Sequence, residues 1–298
     1  MAHSTPTCPL GGEVPRFGRI ADVGHTGAVR PPRRDARALA LVGAWVPLTL
    51  WVDTWVGLAG QIALGALTWA LLLWILAGET RLVRAQTAVV VVVATAIELI
   101  FSGWLGVYVY RLGHVPMYVF PGHGLVYLAA LSFGRLPVVR EHSRLAVRLT
   151  AVVAGLWALW GLVLSPRHDV LGFAWYLCLL AFLRWGRSTT LYVGAFVAVS
   201  YLEIIGTRWG VWTWMPRDTI LGWVAQGNPP SVAAGGYGWF DLYAVLLAPS
   251  IVRWWDARRG VVDPDVTASA ASSPTPTDDA DVADDADEAD DSDGELVA

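Results

Sequence analysis

Long apolar runs alternate with short basic interruptions along most of this chain. No arginine occurs between Ala38 and Gly78, and the notable polar residues in that run are Asp53 and Gln61. The run is twice the roughly 20 residues needed to cross a hydrocarbon core of about 30 Å, so it predicts two helices that turn near residues 53–60. Further helices are expected at about 85–105, carrying Glu98, and at about 117–136. Four more are expected at about 149–164, 170–183, 189–206 and 238–255, the last two carrying Glu203 and Asp241. The fifth and sixth are short enough to tilt differently or to be partly re-entrant. The pattern predicts an all-α integral membrane protein with about eight transmembrane helices.

Charge gives these helices a direction. All 21 basic residues are arginine. If the N-terminus lies inside, 17 of them fall in inside segments, against Arg111, Arg167, Arg208 and Arg217 outside. Arginine excess marks cytoplasmic loops, so both termini are expected in the cytoplasm of a multi-pass plasma (inner) membrane protein. Composition agrees, with 55% hydrophobic and only 15% charged residues in the 298-residue chain, against about 25% charged in ordinary soluble domains. The net charge of −4 hides a division. From Asp263 onward 13 acidic residues stand without a basic one, and the segment is rich in Ala, Ser, Thr and Pro. Three regions result: a flexible cytoplasmic segment at 1–36, a transmembrane domain at 37–256, and a disordered acidic cytoplasmic tail at 257–298. The first 35 residues lack an apolar core before a small-residue cleavage site, so no cleavable signal peptide is expected. Cys8 and Cys178 offer no pairing framework or metal-ligand spacing. Most of the 17 tryptophans are expected at the membrane interfaces.

Two segments resemble each other. The first runs from Glu98 through Gly106-Val107-Tyr108-Val109-Tyr110 to Pro116 and the Pro121-Gly122-His123-Gly124 turn. The second runs from Glu203 through Gly210-Val211-Trp212-Thr213-Trp214 to Pro230 and the Gly235-Gly236-Tyr237-Gly238 turn. Each places a carboxylate seven or eight residues before Gly-Val-aromatic-x-aromatic, and His123 aligns with Tyr237. This predicts a duplicated four-helix unit, with repeats at about 37–136 and 149–256, related by an axis along the membrane normal.

Ionisable residues inside spans mark function by default, so Glu98, Glu203, Asp241 and His123 are the candidate catalytic groups. Asp53 is expected in a wet loop, and His114 as a solvated loop residue. A buried carboxyl group can protonate an alkene, and aromatic faces stabilise the cation that forms. Tyr108, Tyr110, Trp212, Trp214 and Tyr237 are the candidate substrate-binding residues. The chemistry would be hydration, isomerisation or cyclisation of a lipophilic, isoprenoid-like molecule, with membrane lipid or such a small molecule as partner. A proton- or cation-coupled carrier is the alternative from another class. A metal-dependent lipid-headgroup enzyme using His123, Glu98, Glu203, Asp241 and His168 is a third, without paired-ligand spacing to support it. Nucleotide and nucleic-acid signatures are missing from the sequence.

The Glu-Leu-Ile at Glu98–Ile100, the Gly-x-Tyr-x-Tyr at Gly106–Tyr110 and the Val-Pro at Val115–Pro116 resemble the membrane carotenoid hydratases of carotenoid biosynthesis. The resemblance covers about residues 97–127, with an echo at 202–243, and implies a multi-spanning enzyme without cofactors. The Pro-Gly-His-Gly element departs from it and looks more like actinobacterial multi-spanning membrane proteins.

Overall fold

The computed structural model describes residues 32–259. Its helices follow the apolar runs. α1 (Pro32–Asp53) and α2 (Leu58–Ala77) are joined by a short turn. α3 (Arg81–Glu98) continues as a π-helical segment, Leu99–Trp104, into β1 (Tyr108–Tyr110). α4 (Val119–Arg135), the short α5 (Pro137–Glu141) and α6 (Ser143–Leu159) come next, and α6 also ends in a π-helical segment, Trp160–Leu164. Then come α7 (Val170–Trp185), α8 (Thr189–Arg208), β2 (Trp212–Trp214) and α9 (Ala234–Arg258).

Five helical stretches are long and apolar enough to cross a membrane: Arg33–Asp53, Leu58–Ala77, Arg81–Trp104, Ser143–Leu164 and Thr189–Arg208. Their outward faces stay apolar. Ile62, Leu67, Leu73 and Trp74 of α2 and Val152, Leu156, Leu159 and Val163 along α6 are all exposed. Contiguous exposed apolar surface of this kind is the surface of a protein solvated by lipid.

One expectation needs correction and two gain detail. The fifth helix is not short, because it begins at Ser143 rather than near Leu149 and takes in Arg144 and Arg148. Arginine is a good helix former, and its long side chain reaches water from a helix end, so a charge need not end a helix. The fold is helical as expected, and two three-residue strands, β1 and β2, pair as an antiparallel ribbon. Helix α1 starts at Pro32, ahead of the boundary expected at 37, and Asp35 is buried. The rest of the 1–36 segment, and residues 260–298 of the acidic tail, lie outside the described residues.

α4 is the central helix. Leu125, Leu128 and Ala129 pack with α1, α2 and α3, while Val126 joins the apolar cluster of α6, α7 and α8. Its contact with α8 is close because small residues meet there. A Cβ on Gly194 would overlap the Ala130 carbonyl, and one on Gly134 would lie 2.7 Å from the Thr190 carbonyl oxygen. Without a hydrophobic force between lipid-embedded helices, such close backbone approach is a main source of helix association.

Polar contacts sort the helix ends into two faces. On one, Arg135 at the end of α4 lies 3.8 Å from Asp35 at the start of α1 and 3.5 Å from Glu79 in the α2–α3 turn. On the other, Arg111 after β1 donates from Nε to Asp53 Oδ2 at 3.3 Å and from Nη2 to the carbonyls of Asp53 and Val56. Asp53 is therefore not in a wet loop; it is fully buried and also accepts from Gln61 Nε2 at 2.6 Å. Asp169 caps α7 and joins the loop after β2, accepting from the backbone N–H of Gly172, Gly227 and Ser231 and from the Ser231 hydroxyl. The α1–α2 turn, the α6–α7 turn and the β ribbon thus share one end of the helices.

Candidate functional site

Two glycines begin the site. Gly106 and Gly210 have φ of +64° and +70°, a left-handed conformation that glycine adopts without a Cβ clash. Each turns the chain out of a helix and into a three-residue strand. Strand side chains alternate, so Tyr108 and Tyr110 face inward while Val109 faces out, and Trp212 and Trp214 face inward around Thr213. Antiparallel register sets Tyr108 opposite Trp214 and Tyr110 opposite Trp212, with ring centroids 4.4 and 6.0 Å apart.

Each aromatic pair holds a buried carboxylate. Glu98 ends α3; its Oε2 accepts from the Tyr108 hydroxyl at 2.9 Å and its Oε1 from the Tyr110 hydroxyl at 2.6 Å. Glu203 in α8 receives the indole N–H of Trp212 at 3.0 Å and of Trp214 at 3.1 Å, both on Oε2. Both glutamates are only 4% exposed, too little for water to replace these donors. Burial first, and then the Glu98 charge, hold the Tyr108 and Tyr110 phenols well above their usual range, so both stay protonated donors at neutral pH. His123 Nε2 lies 3.4 Å from Glu98 Oε2, within ion-pair reach but without hydrogen-bond geometry.

These groups line one cavity of about 450 Å³. That is within the usual range for a small-molecule site. Eight of the nine candidate residues are in its wall: Glu98, Glu203, His123 and Tyr237, with the four strand aromatics. Asp241 is the ninth and is not brought there. It lines a separate space of about 10 Å³ with Tyr127, and His123 and Tyr237 border both spaces. Sequence reasoning missed Phe101, Tyr118 and Trp175, which also line the cavity. Tyr118 stands in the Val115–Pro116 helix-start motif, a usable signal, whereas nothing local marks Trp175. Trp45 and Thr68 close another part of the wall, joined by an indole-to-hydroxyl hydrogen bond of 3.1 Å. Trp239 and Tyr243 of α9 line the cavity while 48% and 46% exposed, which gives it a border on the exposed surface.

The two acids differ in their neighbours. Indole N–H only donates, so Glu203 sits where two dipoles converge on one oxygen and no partner of that oxygen accepts a proton. A phenol both donates and accepts, as does a neutral imidazole, so Glu98 has neighbours that tolerate either protonation state. The metal arrangement does not assemble. Among the described residues no group of three or more His, Cys, Asp or Glu could hold a metal ion, and exposed His168 engages the Leu162 carbonyl through Nδ1. His114 is exposed, as expected for a solvated loop residue.

Comparison with protein-family models, with curated proteins and with solved structures finds no match to this chain.

Proposed function

We propose that this protein is a membrane-embedded enzyme that performs acid–base chemistry on a lipophilic, isoprenoid-like substrate. The observation that carries the reading is the pair of buried glutamates, each held by two aromatic donors, in the wall of one largely apolar cavity inside a helical membrane protein. Glu98 is the proton donor and acceptor, with His123 as its exchange partner. Glu203 is the fixed anion that stabilises positive charge developing on an alkene after protonation. The strand aromatics stabilise that charge through their ring faces, so the fate of the cation is set within the site rather than by bulk water. Hydration, isomerisation and cyclisation share this first step and differ in the fate of the cation it forms. The resemblance of Glu98–Ile100 and Gly106–Tyr110 to membrane carotenoid hydratases favours the same substrate class.

The reading includes eight spans, with α4, α7 and α9 crossing beside the five longer stretches, and both termini on the cytoplasmic side of the plasma membrane. It also includes a duplicated four-helix unit. The antiparallel pairing of two Gly-Val-aromatic-x-aromatic strands, each serving one glutamate, supports duplication about an axis between the strands. The arginine-rich helix ends opposite the β ribbon support the orientation.

Glu98→Gln and Glu203→Gln keep size and hydrogen-bonding capacity while removing the acid. Each, expressed in place of the native protein, is expected to alter the lipid and pigment profile of the host membrane. A profile identical to wild type in both variants refutes the enzyme. Proteoliposome flux that vanishes in the same variants, with no lipid product, establishes a carrier instead.

A further inference from the structure

We infer that the cavity is a binding site for a lipophilic cation: a weakly hydrated, singly charged organic head on an apolar chain. This deepens the proposed enzyme by naming the charge its ligand carries, and rests on that reading only for where the charge comes from.

The charge balance of the wall is the first argument. Glu98 and Glu203 both line it, and among the described lining residues there is no arginine. His123 is the one basic side chain there, and its Nε2 has no hydrogen-bond partner in the protein. Three buried acids elsewhere are paired with arginine. Arg111 meets Asp53, and Arg135 meets both Asp35 and Glu79. The cavity glutamates instead take their hydrogen bonds from two phenols and two indoles, with His123 the one basic group near Glu98 and no ion pair at Glu203 among the described residues. Neutral donors leave the net charge uncompensated, and a cation in the cavity would supply what arginine supplies at the other acids.

The kind of cation is set by the rest of the wall. Small metal ions demand several oxygen or nitrogen ligands. Aromatic rings suit a different guest. Tyr108, Tyr110, Trp212, Trp214 and Tyr237 surround the carboxylates, and rings of this kind recognise alkylammonium heads whose weak hydration is easily shed. The wall also carries apolar side chains, Val46, Leu50, Val93 and Leu125 among them, which suit a hydrocarbon chain. Trp239 and Tyr243 put the cavity's border on the exposed surface, the route by which an amphiphile would arrive.

Two sources provide such charge. One is a permanent cation, an amphiphile with an ammonium head. The other is a transient carbocation formed when Glu98 transfers its proton to a bound alkene: the π pair forms the new C–H bond, Glu98 is left as the carboxylate, and the adjacent carbon carries the charge beside Glu203.

The test uses the full chain in lipid nanodiscs and calorimetric titration, each probe being corrected for uptake by empty discs. The probes are dodecyltrimethylammonium, uncharged dodecanol and farnesyltrimethylammonium. Saturable binding of one ammonium probe per chain is expected, at least about tenfold tighter than dodecanol. In Glu203→Gln and in Glu98→Gln the preference is expected to fall below about threefold. If Glu203→Gln does not fold, Tyr237→Leu takes its place, and it is expected to weaken the ammonium probes more than dodecanol. Equal affinity for ammonium and alcohol, or a preference that survives all of these variants, overturns the site. A tighter farnesyl than dodecyl probe identifies the carbocation source; equal affinities identify a permanent cation. Cation selectivity that depends on the glutamates, together with an unchanged host lipid profile in the Gln variants, would keep this site while removing the enzyme.

Discussion

The charge on Glu203 can be read from the strength of its hydrogen bonds. Trp214→Phe removes the N–H that Glu203 Oε2 receives at 3.1 Å, and keeps a ring opposite Tyr108 and beside Trp175. A neutral hydrogen bond inside a membrane protein contributes about 0.6 kcal/mol on average. One to a charged group contributes about 1.5–3 kcal/mol. A double-mutant cycle separates the two cases. Trp214→Phe is made in the native background and in Glu203→Gln, where the amide oxygen still accepts but carries no charge. Loss of ring area is the same in both backgrounds and cancels. If Glu203 is the anion assigned to it, the cost of Trp214→Phe differs between backgrounds by roughly 1–2 kcal/mol. At about 2–4 °C per kcal/mol for a domain of this size, that is a non-additivity of roughly 2–8 °C in the thermal midpoint, measured in nanodiscs. Trp212→Phe, which removes the 3.0 Å bond to the same oxygen, provides an independent second cycle. Costs that agree between backgrounds within about 0.5 kcal/mol in both cycles refute a charged Glu203, and with it the fixed anion of the mechanism.

Two other perturbations address the scaffold. Arg111→Ala strands buried Asp53 without its cation and is expected to cost about 3–5 kcal/mol in thermal denaturation. Adding Asp53→Asn should return part of that loss, and a double variant no more stable than Arg111→Ala refutes the pairing argument. Deleting Ser102 removes one residue from the π-helical segment after Glu98 and is expected to be tolerated, shifting the midpoint by less than about 4 °C. Deleting Ile205 from the regular α8 should be far more damaging, and the reverse order refutes the reading of the segment as a one-residue insertion.

The five long apolar helices were legible because lipid imposes a length and excludes charge, and both constraints act on contiguous residues. Where legibility failed, the decisive partner lay far along the chain. Asp53 reads as a loop residue until Arg111, 58 positions later, is found donating to it. Asp169 shows no local sign that it will bind the backbone of Gly227 and Ser231. The glutamates and the two aromatic motifs stood out in the sequence, since each motif repeats a local pattern. Their mutual arrangement did not, because Tyr108 and Trp214 meet only through a strand pairing that no period in either segment encodes. Asp241 was grouped with the others by its position in a span. Helix α9, however, directs it toward Tyr127 and away from the main cavity.

The spacing difference between the two motifs has a structural resolution. Glu98 precedes Gly106 by eight residues, whereas Glu203 precedes Gly210 by seven. A continuous α-helix would rotate the first strand out of register by about 100° for that extra residue. The hydrogen bonds show how it is absorbed. Leu105 N–H reaches back five residues, to Ile100, where its counterpart Trp209 reaches back four, to Ile205. Val107 N–H reaches back six, to Phe101, where Val211 reaches back five, to Gly206. Both bonds in the first segment close a loop one residue larger, so the extra residue is taken up within Leu99–Trp104. Both strands then begin from a glycine of positive φ and deliver two donors to the preceding glutamate. Such π-helical insertions persist mostly where function needs them. Here the insertion immediately succeeds Glu98, the acid within reach of His123, and the wider turn includes Phe101 in the cavity wall. The difference between the two segments therefore falls on the glutamate assigned to proton transfer, while the segment with regular spacing holds the acid assigned to a fixed charge.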